Sequence, residues 1–439
     1  MSRLARLAIG TVQPGVDAAL LVWAVLAALE SRSLRVQHFA SQACFAPHDG
    51  ARAITGQTTR HLDTWLLEPE GCRRAFERGT VNADFALVEG RFDTAMSGAD
   101  EMGGKLATLA EWLDLPSIAM VDACQIRDCS LPNRPASLDG VIIVGARCCS
   151  ERCKLQTWLE ALWKVPVLGF VEDCGWARAE LTNLSMGDEP PRELVQELAR
   201  QAFSPELVQR LLSIAHSHAD LPGCPAEWYE PPEGKSPVVA IAYDDAFHCY
   251  YPDALEQLEL CGATIADFSP LRDDRLPPGT DLVYFGCGRP ELYSSQLRNN
   301  CCLIAALGQH IESGGRIYAE CGGLAYLGQH IELPDGQHVP MSGLLPLTTS
   351  ILGTLRAPAA VELSLESNCW LGDSGQMLRG YRTGRWLTHP ALRQMQNLAA
   401  DDGDEFDLVA YRNAIGSRVH LHFTSQPLVL DRLLRAVPA

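Results

Sequence analysis

The stretch Gly314–Gly328, GGRIYAECGGLAYLG, decides how the second half of the chain is read. A β-type run from Arg316 to Glu320 leads into Cys321, and two glycines then open a helix-like segment. A nucleophile on such a strand-to-helix turn stands exposed at the top of a sheet. Helix N-terminal amides lie near enough there to lower a thiol pKa and to stabilise an oxyanion. Gly322 and Gly323 permit the backbone of that turn. The plainer alternative is a buried cysteine that merely begins a helix.

A cysteine nucleophile needs a base, usually distant in sequence. The segment SRVHLHF, residues 417–423, offers His420 and His422. On a strand the side-chain period of two puts both on one face, so periodicity does not choose between them. Upstream, DLVYFGCG (281–288) places Gly286 and Gly288 just after a strand. Their amides suit part of an oxyanion hole, and a purely structural turn suits them equally.

Working outward, β-rich runs alternate with helix-like segments along the whole chain. LARLAIGTV, LRVQHFAS, ADFALVEG, SIAMVDAC, LDGVIIVGA and VPVLGFV occupy the first half, and VVAIAYDD, ATIADFSP, DLVYFGCG, GRIYAECG and SRVHLHF the second. Such alternation predicts parallel sheets covered by helices, and the nearly continuous apolar strands fit burial on both faces. HSHADLPGCPAEWYEPPEGKSP (216–237), rich in Pro, Gly and charge, reads as a linker. The expectation is therefore an α/β chain with a domain over 1–215, a linker over 216–237 and a second domain over 238–439.

With 439 residues, 47% of them apolar, the chain is long enough for two cores. A net charge of -18 argues against nucleic acid and anionic membranes, which bind through clustered Lys and Arg. The apolar run Ala18 to Leu29 falls short of the roughly 20 residues that a bilayer span requires. It reads as a buried helix, with no signal peptide and a cytoplasmic location expected. Sixteen cysteines without a secretory signal then imply reduced thiols.

Several of those thiols follow predicted parallel strands: Cys44, Cys124, Cys148 and Cys174, with Cys129, Cys149 and Cys153 close behind. Ligands of open parallel sheets sit beyond the carboxyl ends of the strands, so these residues are candidate ligands for zinc or an iron–sulfur cluster. The spacings CQIRDC and CCSERC match no standard motif, and small partly buried cysteines are the simpler reading. Glu89 and Asp122, also at strand ends, are candidates to face a metal or a substrate carboxylate, or to cap a helix.

Taken together, Ala240–Leu271, Gly279–Tyr293, Glu312–Gly328, Pro340–Leu347 and Arg418–Phe423 resemble the C-terminal domain of the cobyrinic acid a,c-diamide synthase family. The resemblance implies two doubly wound domains, a P-loop NTPase-like (dethiobiotin synthetase-like) parallel sheet followed by a class I glutamine amidotransferase-like domain. It also implies a cytoplasmic enzyme of cobalamin biosynthesis, working as a homodimer. Cys321 would attack the glutamine amide, His420 would activate it, and ammonia would pass to an ATP- and Mg-activated carboxylate of a corrinoid or other polycarboxylate. Arg60, Arg379, Arg382 and Arg385 are candidate cations for that acceptor. The segment Arg379–Leu387, RGYRTGRWL, departs from the family's His- and aromatic-rich pattern.

A second departure lies in the phosphate loop, which reads GTVQPGVDAA here (Gly10, Thr11, Gly15, Asp17 and Ala18 among them). Asp17 stands where the family has the phosphate-binding Lys, and Ala18 where a hydroxyl would hold magnesium. At about 4 Å and an effective dielectric near 20 each charge term is roughly 4 kcal/mol, so Lys to Asp turns attraction into repulsion. The alternative reading is thus a paralogue without ATP-dependent synthesis, or a non-catalytic scaffold.

Overall fold

The computed structural model describes residues 4–13, 18–45, 48–92, 103–126, 131–182, 184, 188–218, 236–391, 395–400 and 406–434. The chain forms two compact units, Met1–Ala226 and Glu227–Ala439.

In the first unit seven strands make one sheet: β1 (Ala5–Thr11), β2 (Val36–Ala40), β3 (Arg60–His61), β4 (Phe85–Arg91), β5 (Ser117–Asp122), β6 (Gly140–Val144) and β7 (Val167–Val171). Their order is β3-β2-β4-β1-β5-β6-β7, and every pair is parallel. Strand β1 is buried along its whole length, as a central strand covered on both faces must be. The two-residue β3, too short to leave a sequence pattern, pairs with Phe39 and Ala40.

The helix Ala18–Glu30 buries every residue from Leu20 to Leu29. It packs against the helices Gly50–Thr55 and Arg192–Ala202 as well as the sheet, which explains an apolar run with no polar face. Among the described residues no helix is long and apolar enough to cross a membrane.

The second unit holds fourteen strands among its described residues: β8 (Val238–Ala242), β9 (Phe247–Cys249), β10 (Thr264–Phe268), β11 (Thr280–Phe285), β12 (Cys287–Gly288), β13 (Arg316–Glu320), β14 (His330–Glu332), β15 (His338–Pro340), β16 (Leu347–Ser364), β17 (Met377–Pro390), β18 (Gln396–Ala400), β19 (Phe406–Tyr411), β20 (Ala414–Ser417) and β21 (Val419–Leu421). Its main sheet runs β10-β8-β11-β13-β20-β19-β18, with β19 alone reversed and so antiparallel to both its neighbours. A second sheet, β15-β14-β16-β17-β21, and the small ladder β12-β9 complete the unit.

SRVHLHF therefore does not run as one strand. It ends the main sheet at Ser417, turns at Arg418 and enters the second sheet at Val419. The turn is pinned by charge. Asp407, 0% exposed, sits 3.2 Å from Arg418 Nη2 and accepts from Arg382 Nε at 2.9 Å. One buried carboxylate with two guanidiniums thus ties β17, β19 and the crossing point together.

Candidate active site

Strand β13 buries all five of its residues between β11 and β20, and its last residue is Glu320. Cys321 follows with φ 46° and ψ -103°, a left-handed conformation rare for a side chain other than glycine. Backbone strain of this kind, of order 1–3 kcal/mol, persists only where the surroundings enforce it. Here the Cys321 amide donates to Ser417 O at 2.8 Å, and the helix Gly322–Leu327 starts at once. The glycines on either side permit the close approach. A Cβ on Gly322 would lie 2.5 Å from Gly288 O, and one on Gly288 would lie 1.9 Å from Ala246 O.

Cys321 Sγ lies 3.5 Å from His420 Nε2, and as a thiol it donates to Arg418 O at 3.3 Å. Thr383 Oγ1 stands 3.7 Å away. On the far side of the imidazole, Nδ1 is 3.1 Å from Glu320 Oε2. The Glu320 carboxylate also accepts from Tyr318 Oη at 2.8 Å, from the Leu421 amide at 3.2 Å and from Tyr284 Oη at 3.4 Å. Burial and the neighbouring Glu320 push both phenols well above their ordinary pKa, so they remain donors. A carboxylate held from three other sides fixes the orientation of the imidazole.

Sequence reasoning missed two participants. Glu320 was legible only as an acid ending an apolar strand, since its partner lies 100 positions away. Cys287, on β12, has its sulfur within 4.8 Å of both Cys321 Sγ and His420 Nε2. Two buried thiols this close do not both ionise. Burial and Cys287 push Cys321 well up, while the hydrogen bond from Cys321, together with the His420 charge, pulls Cys287 well down. For His420 burial acts to lower the pKa, but the Cys287 thiolate and Glu320 outweigh it and raise it to about 10. The cluster thus carries one sulfur anion opposite an imidazolium.

His422 does not share this role. It lies beyond the end of β21, its ring packs 4.8 Å from that of Tyr251, and its Nδ1 pairs with Thr424 Oγ1 at 2.6 Å. Gly286 needs correction as an oxyanion donor, because its amide already donates to Tyr250 Oη at 2.9 Å. The Gly322 amide is hydrogen-bonded to Cys287. The arginines read as acceptor cations are paired as well: Arg379 Nε with Glu362 at 2.7 Å, Arg382 with Asp407, and Arg385 with Glu291.

In the first unit Gly10 and Thr11 end β1, whereas Gly15, Asp17 and Cys129 lie outside the described residues. Asp122 caps the turn Ala123–Gln125, accepting from the Cys124 amide at 2.8 Å and from Gln125 Nε2 at 3.0 Å. Glu89 Oε1 lies 3.5 Å from His38 Nε2 across adjacent strands.

Among the described residues the expected convergence of thiols in the first unit is not found. Among the described residues, one set of three or more His, Cys, Asp or Glu has ligand atoms all within 4.8 Å, and it is Cys287, Cys321 and His420. Cys148 turns to Ser150, Cys149 and Cys153 lie exposed on the helix Cys149–Trp163, Cys124 donates to Gly145 O, and Cys174 donates to Glu172 O. Following a parallel strand places a residue near the sheet's edge, but local turns then give three of these side chains partners of their own.

A cysteine on a strained elbow at the end of a parallel sheet, paired to a carboxylate-backed histidine from the neighbouring sheet, is the arrangement of a glutamine amidotransferase. Residues 238–428 match the CobB/CobQ-like glutamine amidotransferase domain. Over nearly its whole length the chain is similar to cobyrinate a,c-diamide synthases. It is 31% identical to that of Syntrophotalea carbinolica (96% of each chain), 31% to that of Synechocystis (94% of this chain, 89% of the relative) and 28% to that of Salmonella typhimurium (94% of each). The chain belongs to the cobyrinate a,c-diamide synthase family.

Proposed function

We propose that this chain hydrolyses glutamine at Cys321 and delivers the ammonia to carboxylates of a corrinoid acid in cobalamin biosynthesis, in the cytoplasm and as a homodimer by family likeness. The observation that carries the reading is the line Cys321 Sγ, His420 Nε2, His420 Nδ1, Glu320 Oε2, with its two hydrogen-bonding steps of 3.5 and 3.1 Å. The Cys321 thiol passes its proton to the neighbouring Cys287 thiolate, and the Cys321 sulfur then attacks the glutamine carboxamide carbon, forming a C–S bond. The imidazolium of His420 gives its proton to the departing nitrogen, and the C–N bond breaks to release ammonia. Water, deprotonated by His420, then attacks the glutamyl thioester and frees glutamate. Glu320 holds the imidazole in line throughout and touches no reacting atom. The amides of Gly288 and Gly322 are the proposed oxyanion donors, the thiol of Cys287 giving way to the glutamine carbonyl.

ATP and magnesium are the cofactors that family likeness implies for activating the acceptor carboxylate. The residues of the first unit fit them poorly: Ala18 has no hydroxyl for the metal, and the Asp122 carboxylate is engaged in a cap. The same observation favours a second reading, a relative that keeps glutamine hydrolysis and has lost ATP-driven synthesis.

The deciding experiment pairs C321A with the parent chain and follows ammonia release from glutamine. Release by the parent and its loss in C321A support the glutaminase, and equal release by both defeats it. Calorimetric titration with ATP and magnesium then separates the two readings, binding favouring the first and no binding the second.

A further inference from the structure

Cys287 forms no bond to glutamine in the proposed hydrolysis, yet its sulfur occupies a defined place. The ladder of β12 with β9 fixes its backbone, with Cys287 opposite Cys249. On either side Gly286 and Gly288 are packed so closely that a Cβ would lie 2.5 Å from the Tyr250 ring and 1.9 Å from Ala246 O, respectively. The side chain between them is held by a backbone that has no room to shift.

The sulfurs of Cys287 and Cys321 and the Nε2 of His420 all lie within 4.8 Å of one another, and the Cys321–His420 edge measures 3.5 Å. In a tetrahedral site with Zn–S about 2.3 Å and Zn–N about 2.0 Å, the S···N edge is roughly 3.5 Å and the S···S edge roughly 3.8 Å. The Cys321–His420 edge therefore matches an S···N edge of a zinc tetrahedron, and the Cys287 sulfur lies within 4.8 Å of both other ligand atoms. Two thiolates and an imidazole also form a soft donor set, suited to zinc rather than to magnesium or calcium. Glu320 holds Nδ1 at 3.1 Å, leaving Nε2 toward the sulfurs, which is how a second-shell carboxylate orients a ligating histidine.

We propose that Cys287, Cys321 and His420 form a zinc site, with the fourth position left to water, and that the bound ion masks Cys321. Binding displaces the Cys321 thiol proton and the Nε2 proton of the His420 imidazolium, Cys287 being already a thiolate, and no electrons move. The ion and glutamine then compete for the same sulfur, so thiophilic metal inhibits glutamine hydrolysis without touching the first unit.

The test uses the full chain, reduced and anaerobic, with Co²⁺ as the probe and zinc as competitor. The parent chain is expected to take up cobalt with thiolate-to-cobalt charge-transfer bands and tetrahedral d–d bands, and zinc to bleach both. C287S should bind cobalt more weakly by more than the about 10–100-fold that losing an outer-shell partner costs. Identical spectra and affinities in the parent, C287S and C321S would place the metal on other cysteines and overturn the site. Because either variant can misfold, zinc protection of the parent's thiols against alkylation, mapped by mass spectrometry, is a second readout. Protection of Cys287 and Cys321 together supports the site, and alkylation of both at an unchanged rate overturns it. Neither readout depends on glutamine turnover.

Discussion

Glu320 Oε2 and His420 Nδ1 lie 3.1 Å apart, the acid at the end of the main-sheet strand β13 and the imidazole on β21 of the second sheet. The residue that immediately precedes the proposed nucleophile thus orients its proposed base. The glutaminase line closes only when the two sheets of the second unit meet.

Replacing Glu320 by Gln keeps the shape and removes the charge. The expected result is a fall in glutaminase kcat on the order of 10²–10⁴ with KM little changed, as when the orienting acid of a nucleophile–histidine pair is neutralised. The His420 pKa should fall from about 10, because Glu320 is one of the groups that raise it. Steady-state kinetics and a histidine-resolved NMR titration read both. An unchanged kcat would remove Glu320 from the machinery.

The raised His420 pKa fixes a pH window. A group whose folded pKa lies above its unfolded value contributes stability that is complete below the unfolded pKa, about 6.5, and lost as pH rises through the folded one. For His420 that loss comes at about pH 10. Inactivation by a glutamine-analogue chloroketone is expected to be nearly level from neutral pH to about 9, since the Cys287–Cys321 pair already shares one anion beside the imidazolium and the fraction on Cys321 does not change with pH. A rate that climbs tenfold per pH unit through 8 and 9 would instead indicate an ordinary unpaired thiol.

Asp407 holds Arg382 and Arg418 while fully buried. Asp407→Ala leaves two guanidiniums without their shared counter-ion, and breaking a buried pair this way costs about 3–5 kcal/mol. Urea denaturation of the full chain measures it. Because Arg418 O also contacts Cys321 Sγ at 3.3 Å, glutaminase activity should fall even where the variant is folded. A cost below about 1 kcal/mol, the size of a surface pair, would contradict the network.

Gly288→Ala places a methyl 1.9 Å from Ala246 O, a backbone atom with no rotamer to escape into. Overpacking of this kind costs about 1–3 kcal/mol or more, and the displaced turn should carry Cys287 away from Cys321. Thermal melting and glutaminase assays are expected to fall together. Wild-type behaviour in both would show that the turn is looser than its packing implies.

Much of the fold was legible, because buried parallel strands must be apolar throughout and the helices between them are not. Every strand quoted from the first half stands in the parallel sheet, and the all-apolar run after Val12 is a helix buried on all sides. The second sheet was not legible. Its long strands β16 and β17 lack a clean alternation, and the turn at Arg418 interrupts a sequence that reads as one strand.

Local sequence alone determined the cysteine elbow: a strand ending at Glu320, Cys321, and glycines where any side chain would collide. It also determined the parallel α/β class, since strand burial is written residue by residue. Only the tertiary structure set His420 rather than His422 beside Cys321, engaged the Gly286 amide, paired Arg379, Arg382 and Arg385 and brought Cys287 close to Cys321. Periodicity reports which face a residue takes within its own element. Hydrogen bonds and ion pairs join elements up to a hundred residues apart, and their partners become defined only when the sheets pack.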